Sequence, residues 1–290
     1  MRRMIWALAV ALGVLSVPAQ AQDCGRSCMT ALIDTYMGAM LAHDPARLPL
    51  APGARFTEDS KVIELGKGLW STVSGAGSFR QDYLDTARHV AASHMTLREG
   101  DKQVLYSVVL HLDGARIGGI EALVQRLEPG SRFKPTELGA PVRGFDAMVP
   151  TGERMPRARL IATALRYSEG LRRGNFTDAG TAFAPDAYRV ENGVITAGKG
   201  CALGPDCGLY SQRIMVHPSL LRSVAAVDEA KGVVLLWMNF GYTDSYGPGK
   251  ALVTYEAFKI QAGRIRAINA FFATLPISTP RAWPSLDPTD

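Results

Sequence analysis

Long apolar runs, cysteines and clustered charge are all scarce in this sequence, and each shortage removes a class of function. The one extended apolar run, Met4 to Val17, follows Arg2 and Arg3 and ends at Pro18-Ala19-Gln20-Ala21. It falls short of the roughly 20 residues needed to cross a bilayer, and no later segment approaches that length. A basic start, a short apolar stretch and an Ala-x-Ala end are the signature of a cleaved export signal. The expectation is removal of residues 1–21, a mature chain from Gln22, a periplasmic or secreted location and no membrane partner thereafter. The net charge of +5 falls to +3 once Arg2 and Arg3 are gone. The basic residues are scattered, and aromatics do not interleave with them, so nucleic acid is excluded as a partner.

Four cysteines stand in two close pairs, Cys24 with Cys28 and Cys201 with Cys207. Export permits disulfides, and four cysteines admit three connectivities. The two local pairs are the favoured reading. Zinc held with His217 as a third ligand is the alternative, although the spacings fit no known zinc motif well. Gly66-Lys67-Gly68 lacks the Ser/Thr and the spacing of a phosphate-binding loop, and it recurs as Gly198-Lys199-Gly200, which favours a structural turn.

That recurrence belongs to a longer pattern. Ala51–Ser60, APGARFTEDS, matches Ala184–Gly193, APDAYRVENG, and Arg116–Leu127 matches Arg264–Leu275. Each half opens with an amphipathic helix carrying a tyrosine, Tyr36 or Tyr167. Four matches in one order indicate two copies of one module. In the first helix Met29, Leu32, Ile33, Tyr36, Met37, Met40 and Leu41 recur at helical steps, and Asp44-Pro45 reads as the cap and first turn of a second short helix. Strands are expected near 54–58, 61–65, 90–97, 104–112 and 117–127. The second copy has a helix near 156–173 and strands near 187–191, 214–216, 223–227, 233–242, 252–260 and 264–275. Helices followed by consecutive strands indicate an α+β module with mainly antiparallel pairing. The expected layout is module 1 at 22–130, a linker at 131–153, module 2 at 154–276 and a tail at 277–290.

The phrases TYMGAMLAHD…LAPGARFTED and RYSEGLRRGN…FAPDAYRVEN resemble the nuclear-transport-factor-2-like (NTF2-like) superfamily, which includes SnoaL-like cyclases and ketosteroid isomerases. The first copy is also similar to a SnoaL-related family carrying HDP…LP and GLW phrasing, here His43-Asp44-Pro45, Leu48-Pro49 and Gly68-Leu69-Trp70. The resemblance implies two tandem cones, each with N-terminal helices packed on a curved sheet around an apolar pocket. It implies a pocket tyrosine at Tyr36 or Tyr167 and a general base at Glu58 or Glu191. A second carboxyl falls on a late strand at Glu256, where the first copy has Val108.

Glu256 also stands out on the residues alone. By strand alternation it shares a face with Leu252, Phe258 and Ile260, where desolvation raises a carboxyl's pKa. Pairing with a buried arginine, Arg189 or Arg213, is the alternative. Glu58 and Glu191 also read as solvated hairpin ends, and Tyr36 and Tyr167 as core tyrosines. A second candidate set is Glu58 and Tyr36 with His111 and Glu121, near His94; its bland reading is satisfied core histidines. Asn269 takes the Glu121 position in the second copy.

The functional expectation is an exported isomerase or lyase acting by proton transfer on a small apolar, cyclic or aromatic molecule, needing no metal and no organic cofactor. Glu191 would be the base, with Tyr167 and Glu256 stabilising an oxyanion. Trp237, Asn269, Phe271, Tyr210 and Trp70 would line the pocket. The alternative is a non-catalytic periplasmic module that binds a small apolar ligand. A third reading makes one copy purely structural, and internal duplication makes a pseudo-dimer of the two copies a geometric expectation.

Overall fold

The computed structural model describes residues 24–128, 144–201, 203–204 and 206–289. The expected export signal and residues 131–143 of the expected linker lie outside the described residues.

Each half begins with one helix. In α1 (Arg26–Leu41) the apolar positions at three- and four-residue steps are the buried ones: Met29, Leu32, Ile33, Tyr36 and Met40. In α2 (Arg157–Arg173) they are Leu160, Ile161, Ala164, Tyr167 and Leu171. Gly174 ends α2 in the left-handed region at φ 72°, a conformation that costs glycine nothing. The expected second helix of module 1 is only a 3-10 turn, Pro45–Arg47, with Asp44 accepting from the Ala46 N–H at 3.2 Å. Among the described residues one α-helix per half, rather than several, lies on each sheet.

Six strands follow each helix. The first half has β1 (Leu50–Glu58), β2 (Lys61–Val62), β3 (Gly75–Asp85), β4 (Val90–Glu99), β5 (Lys102–Asp113) and β6 (Arg116–Arg126). The second has β7 (Phe183–Glu191), β8 (Val194–Gly198), β9 (Leu221–Asp228), β10 (Val233–Asn239), β11 (Lys250–Gln261) and β12 (Arg264–Pro276). Their orders, β2-β1-β6-β5-β4-β3 and β8-β7-β12-β11-β10-β9, are identical. The pairing is antiparallel except where β1 lies parallel to β6 and β7 parallel to β12. Both sheets are therefore mixed. Residues 214–216 form no strand, whereas β3 and β8 were not anticipated.

The register puts the repeat on a structural footing. Glu58 pairs with Ala122 and Glu191 with Ala270. Each glutamate leads into a tight turn with two positive φ angles, Asp59-Ser60 at 51° and 65° or Asn192-Gly193 at 44° and 80°, the hairpin geometry that suits the twist of the strands. Val108 pairs with Ala122 and Glu256 with Ala270, so these two residues also occupy equivalent places.

Each sheet has two apolar faces. One receives its helix, around Ile33, Tyr36, Trp70 and Val108 in the first half and Tyr167, Phe176 and Phe258 in the second. The other faces meet in a shared core, with Phe79, Tyr83, Leu105 and Val109 against Tyr188, Trp237, Tyr255 and Phe271. At one edge of this seam two ion pairs exchange symmetrically. Arg26 of α1 reaches Asp228 at the end of β9 at 2.7 and 2.9 Å. Arg157 of α2 reaches Asp85 at the end of β3 at 2.8 and 2.7 Å. Asp228 also accepts from the Leu84 N–H at 3.0 Å, and Asp85 from the Val227 N–H at 2.8 Å. Among the described residues no helix is long and apolar enough to cross a membrane.

Candidate active site

Between α2 and its sheet, Arg189 of β7 organises a buried polar cluster. Its guanidinium donates to the Tyr167 hydroxyl at 3.0 Å, to Thr196 Oγ1 at 3.0 Å and to Gln212 Oε1 at 2.9 Å. The Glu191 carboxylate lies 3.3 Å from its Nε. Because the hydroxyl of Tyr167 accepts from Arg189, its own proton is free to point elsewhere, and Glu256 lies close enough to feel it. Glu256 is 2% exposed and its Oε1 has no described partner. Burial, reinforced by the charge of Glu191 and only partly offset by Arg189 and Tyr167, pushes its carboxyl up to about 8. Burial likewise raises the Tyr167 hydroxyl well above the usual phenol range. Phe176, Phe183 and Phe258 pack around the Tyr167 ring, with centroids at 4.7, 6.3 and 5.0 Å. Tyr210 donates to the Thr181 carbonyl at 3.1 Å and is 56% exposed, so it borders this interior rather than lining it.

Tyr167, Glu191 and Glu256 are thus gathered around one cation. Arg189, one of the two arginines expected to pair with Glu256, makes its ion pair with Glu191.

The first half has the same frame with different contents. Register places Phe56 opposite Ile120 and Arg189 opposite Ile268, so Phe56 stands where Arg189 does, as Val108 stands for Glu256. The Tyr36 hydroxyl meets Tyr106 at 2.6 Å and accepts from Trp70 Nε1 at 3.0 Å. Trp70 is fully buried; it fills the interior it was expected to line. Glu58 accepts from the Leu69 N–H at 3.0 Å, at the start of the 3-10 turn Gly68–Ser71 that carries Trp70. Its pKa is raised by burial, less what that N–H gives back. His43 Nδ1 is 2.5 Å from the Trp70 carbonyl. Glu58 and His43 therefore seat an aromatic plug.

The family described as Domain of unknown function (DUF8021) matches residues 153–272, less than half of the chain. A search of curated proteins finds no match. Among solved structures, a de novo designed protein with a curved β-sheet is 14% identical, with a TM-score of 0.30, covering 35% of this chain and 88% of its own. A presumed ketosteroid isomerase from Kribbella flavida DSM 17836 is 16% identical at a TM-score of 0.28, covering 39% and 93%. A protein from Sphaerobacter thermophilus is 15% identical at 0.26, covering 34% and 94%. Each match covers a little over a third of the chain, and scores this low leave the fold to be argued from its own topology.

Other candidates lie elsewhere. Trp237 pairs with Tyr255, and Leu236 with Glu256. Trp237, Asn269 and Phe271 therefore face the seam between the sheets, opposite to Glu256, and do not line its surroundings. The reason is strand parity: neighbouring positions on β11 look to opposite sides of the sheet. Asn269 there meets His94 Nδ1 and Gln81 Oε1, each at 3.3 Å, and Phe271 stacks on His94 at 4.6 Å.

The second candidate set divides in the same way. Tyr36 and Glu58 belong to the helix-bearing face, whereas His111 and Glu121 face the seam. His111 Nε2 is 2.7 Å from Glu121 Oε1, but Glu121 also receives the Tyr255 hydroxyl at 2.8 Å and Arg281 at 3.0 and 2.7 Å. Burial would raise this carboxyl, yet the His111 hydrogen bond and the Arg281 charge hold it below its ordinary value. Trp283 stacks on His111 at 4.2 Å, beneath Arg55. The set anchors the C-terminal tail, through Arg281 and Trp283, which carried no signal in the sequence.

The disulfides are Cys24–Cys28 and Cys201–Cys207, which fits an oxidising, extracytoplasmic environment. With both thiols bonded, the zinc alternative at Cys201, Cys207 and His217 falls.

Proposed function

We propose that both halves are NTF2-like cones and that only the second is a reaction site. Its class is cofactor-independent isomerase or lyase chemistry on a small, largely apolar molecule that carries a carbonyl or hydroxyl. The observation behind this reading is the pairing of Glu256, a buried carboxyl held neutral near pH 7, with Glu191, a carboxylate beside Arg189 and partly open to solvent. Two carboxyl groups in such different surroundings can divide the roles of acid and base. Glu191 takes a proton from the carbon next to the carbonyl, and Glu256 and Tyr167 donate hydrogen bonds to the oxygen where charge develops. Arg189 holds Glu191 and Tyr167 in place. The first half, with Phe56 and Val108 at the matching positions and Trp70 inside, supports the structure.

The test is hydrogen–deuterium exchange next to the carbonyl in a panel of small cyclic ketones and enones, followed by NMR with and without the protein. The expected outcome is protein-dependent exchange that falls by about 100-fold or more in Glu191→Gln, the usual scale for losing a general base. Saturable ligand binding with no exchange would favour the carrier reading instead. Exchange unchanged in Glu191→Gln would remove the assignment of the base.

A further inference from the structure

A cavity of about 310 Å³ opens on the second half away from Tyr167 and Glu256, between the sheet and residues 147–149. Three cations line it, Lys199, Lys259 and Arg266, with one carboxylate, Asp186, and the polar side chains of Gln261 and Tyr188. Lys259 is only 4% exposed. Its ammonium donates to the carbonyls of Ala147 and Lys231 at 2.6 and 2.5 Å, which leaves one of its three N–H donors. Among the described residues no carboxylate lies within ion-pair distance of Lys199 or Lys259. Asp186 reaches only Arg266, at 3.3 Å, in a pair that is about half exposed on both sides. An exposed pair of that kind contributes little, so a stronger anion can compete for Arg266.

A buried charge with no carboxylate at ion-pair distance is costly, and Asp228 and Asp146, which act on it from farther off, are opposed by Lys231 and Arg266. We propose that this cavity binds a small oxyanion, a phosphate- or carboxylate-bearing molecule, with Lys199 and Arg266 gripping it at the rim and Lys259 at the floor. The volume leaves room for an organic portion beside the charged group. Burial, with Lys231 and Arg266 nearby and only partly offset by Asp228 and Asp146, brings the Lys259 ammonium down to about 8. An anion seated against it restores its proton, so binding near pH 8.5 takes up hydrogen ions.

The full chain is titrated calorimetrically with inorganic phosphate and, separately, with citrate, at low salt and at 150 mM salt, in two buffers of different ionisation enthalpy. Binding of either probe is expected to weaken with salt, to take up protons at pH 8.5, and to drop at least tenfold in the double variant Lys199→Gln/Arg266→Gln. Both positions are exposed, so the fold is retained, which circular dichroism checks; Lys102→Gln, on the other half, leaves binding unchanged. Phosphate alone, citrate alone or both in that pattern would each support the site and name its anion. No heat with either probe, or binding indifferent to the double variant, overturns it.

Discussion

Glu256 shows how a single residue couples stability to pH. Its carboxyl titrates near 8 when folded against an ordinary 4.5. Below pH 4.5 it is neutral whether the chain is folded or not, and it costs nothing electrostatically. Between 4.5 and 8 the unfolded chain ionises and the folded chain does not, so stability falls as pH rises; above 8 the full penalty remains. At pH 7 this amounts to about 3 kcal/mol at most. Glu256→Gln keeps the shape without the charge, so urea unfolding should show it more stable than the wild type at pH 7, more so at pH 9, and equal to it at pH 4. Equal stability at every pH would mean that Glu256 ionises as an ordinary carboxylate. This residue was legible because strand alternation groups it with Leu252, Phe258 and Ile260. Trp237 and Asn269 were misplaced because alternation gives the parity within a strand, not which face of the sheet the neighbouring strand turns inward. That needs the cross-strand register, which ties Trp237 to Tyr255.

The turn Gly68–Ser71 shows at the scale of an element how the first half was closed. Gly68 sits at φ 63°, and a methyl group built on it would lie 2.4 Å from Glu58 Oε1. Glycine is therefore favoured for the backbone, and a methyl group there would push the Glu58 carboxylate away from the Leu69 N–H it accepts from. Gly68→Ala is expected to destabilise the protein by about 2 kcal/mol, and Glu58→Ala in the same chain should recover part of that loss by clearing the clash. A loss unchanged by Glu58→Ala would assign the whole effect to the backbone. The recurrence of Gly-Lys-Gly was enough to read this segment as a turn, but nothing local shows that it carries an aromatic plug. β3 escaped notice because it opens with Gly75-Ala76-Gly77-Ser78, poor strand formers, and is held by its pairing with β4. The parallel β1–β6 and β7–β12 pairs are long-range contacts that no local pattern encodes.

At the scale of the whole molecule the two halves are joined as a symmetric dimer would be, with residue i of one touching residue j of the other and the reverse. Arg26 opens α1 and Arg157 opens α2; Asp85 closes β3 and Asp228 closes β9. Each aspartate is fully buried and holds an arginine and a backbone N–H from across the seam. Removing one partner from such a pair leaves a buried charge uncompensated, at a cost of about 3–5 kcal/mol, so Arg157→Ala and Arg26→Ala should both be strongly destabilising. Arg26 is the more exposed of the two, 30% against 15%, and water replaces more of what it loses; its variant should be the milder. The two clamps share the Leu84-Asp85 and Val227-Asp228 backbone, each peptide serving the other's carboxylate. Their energies should therefore not add: the Asp85→Asn/Asp228→Asn double variant is expected to lose less than the sum of its single variants, by at least about 0.5 kcal/mol in a double-mutant cycle. Strict additivity in urea unfolding would mean that the seam is held by two independent bolts, and that its symmetry is a matter of layout without energetic coupling.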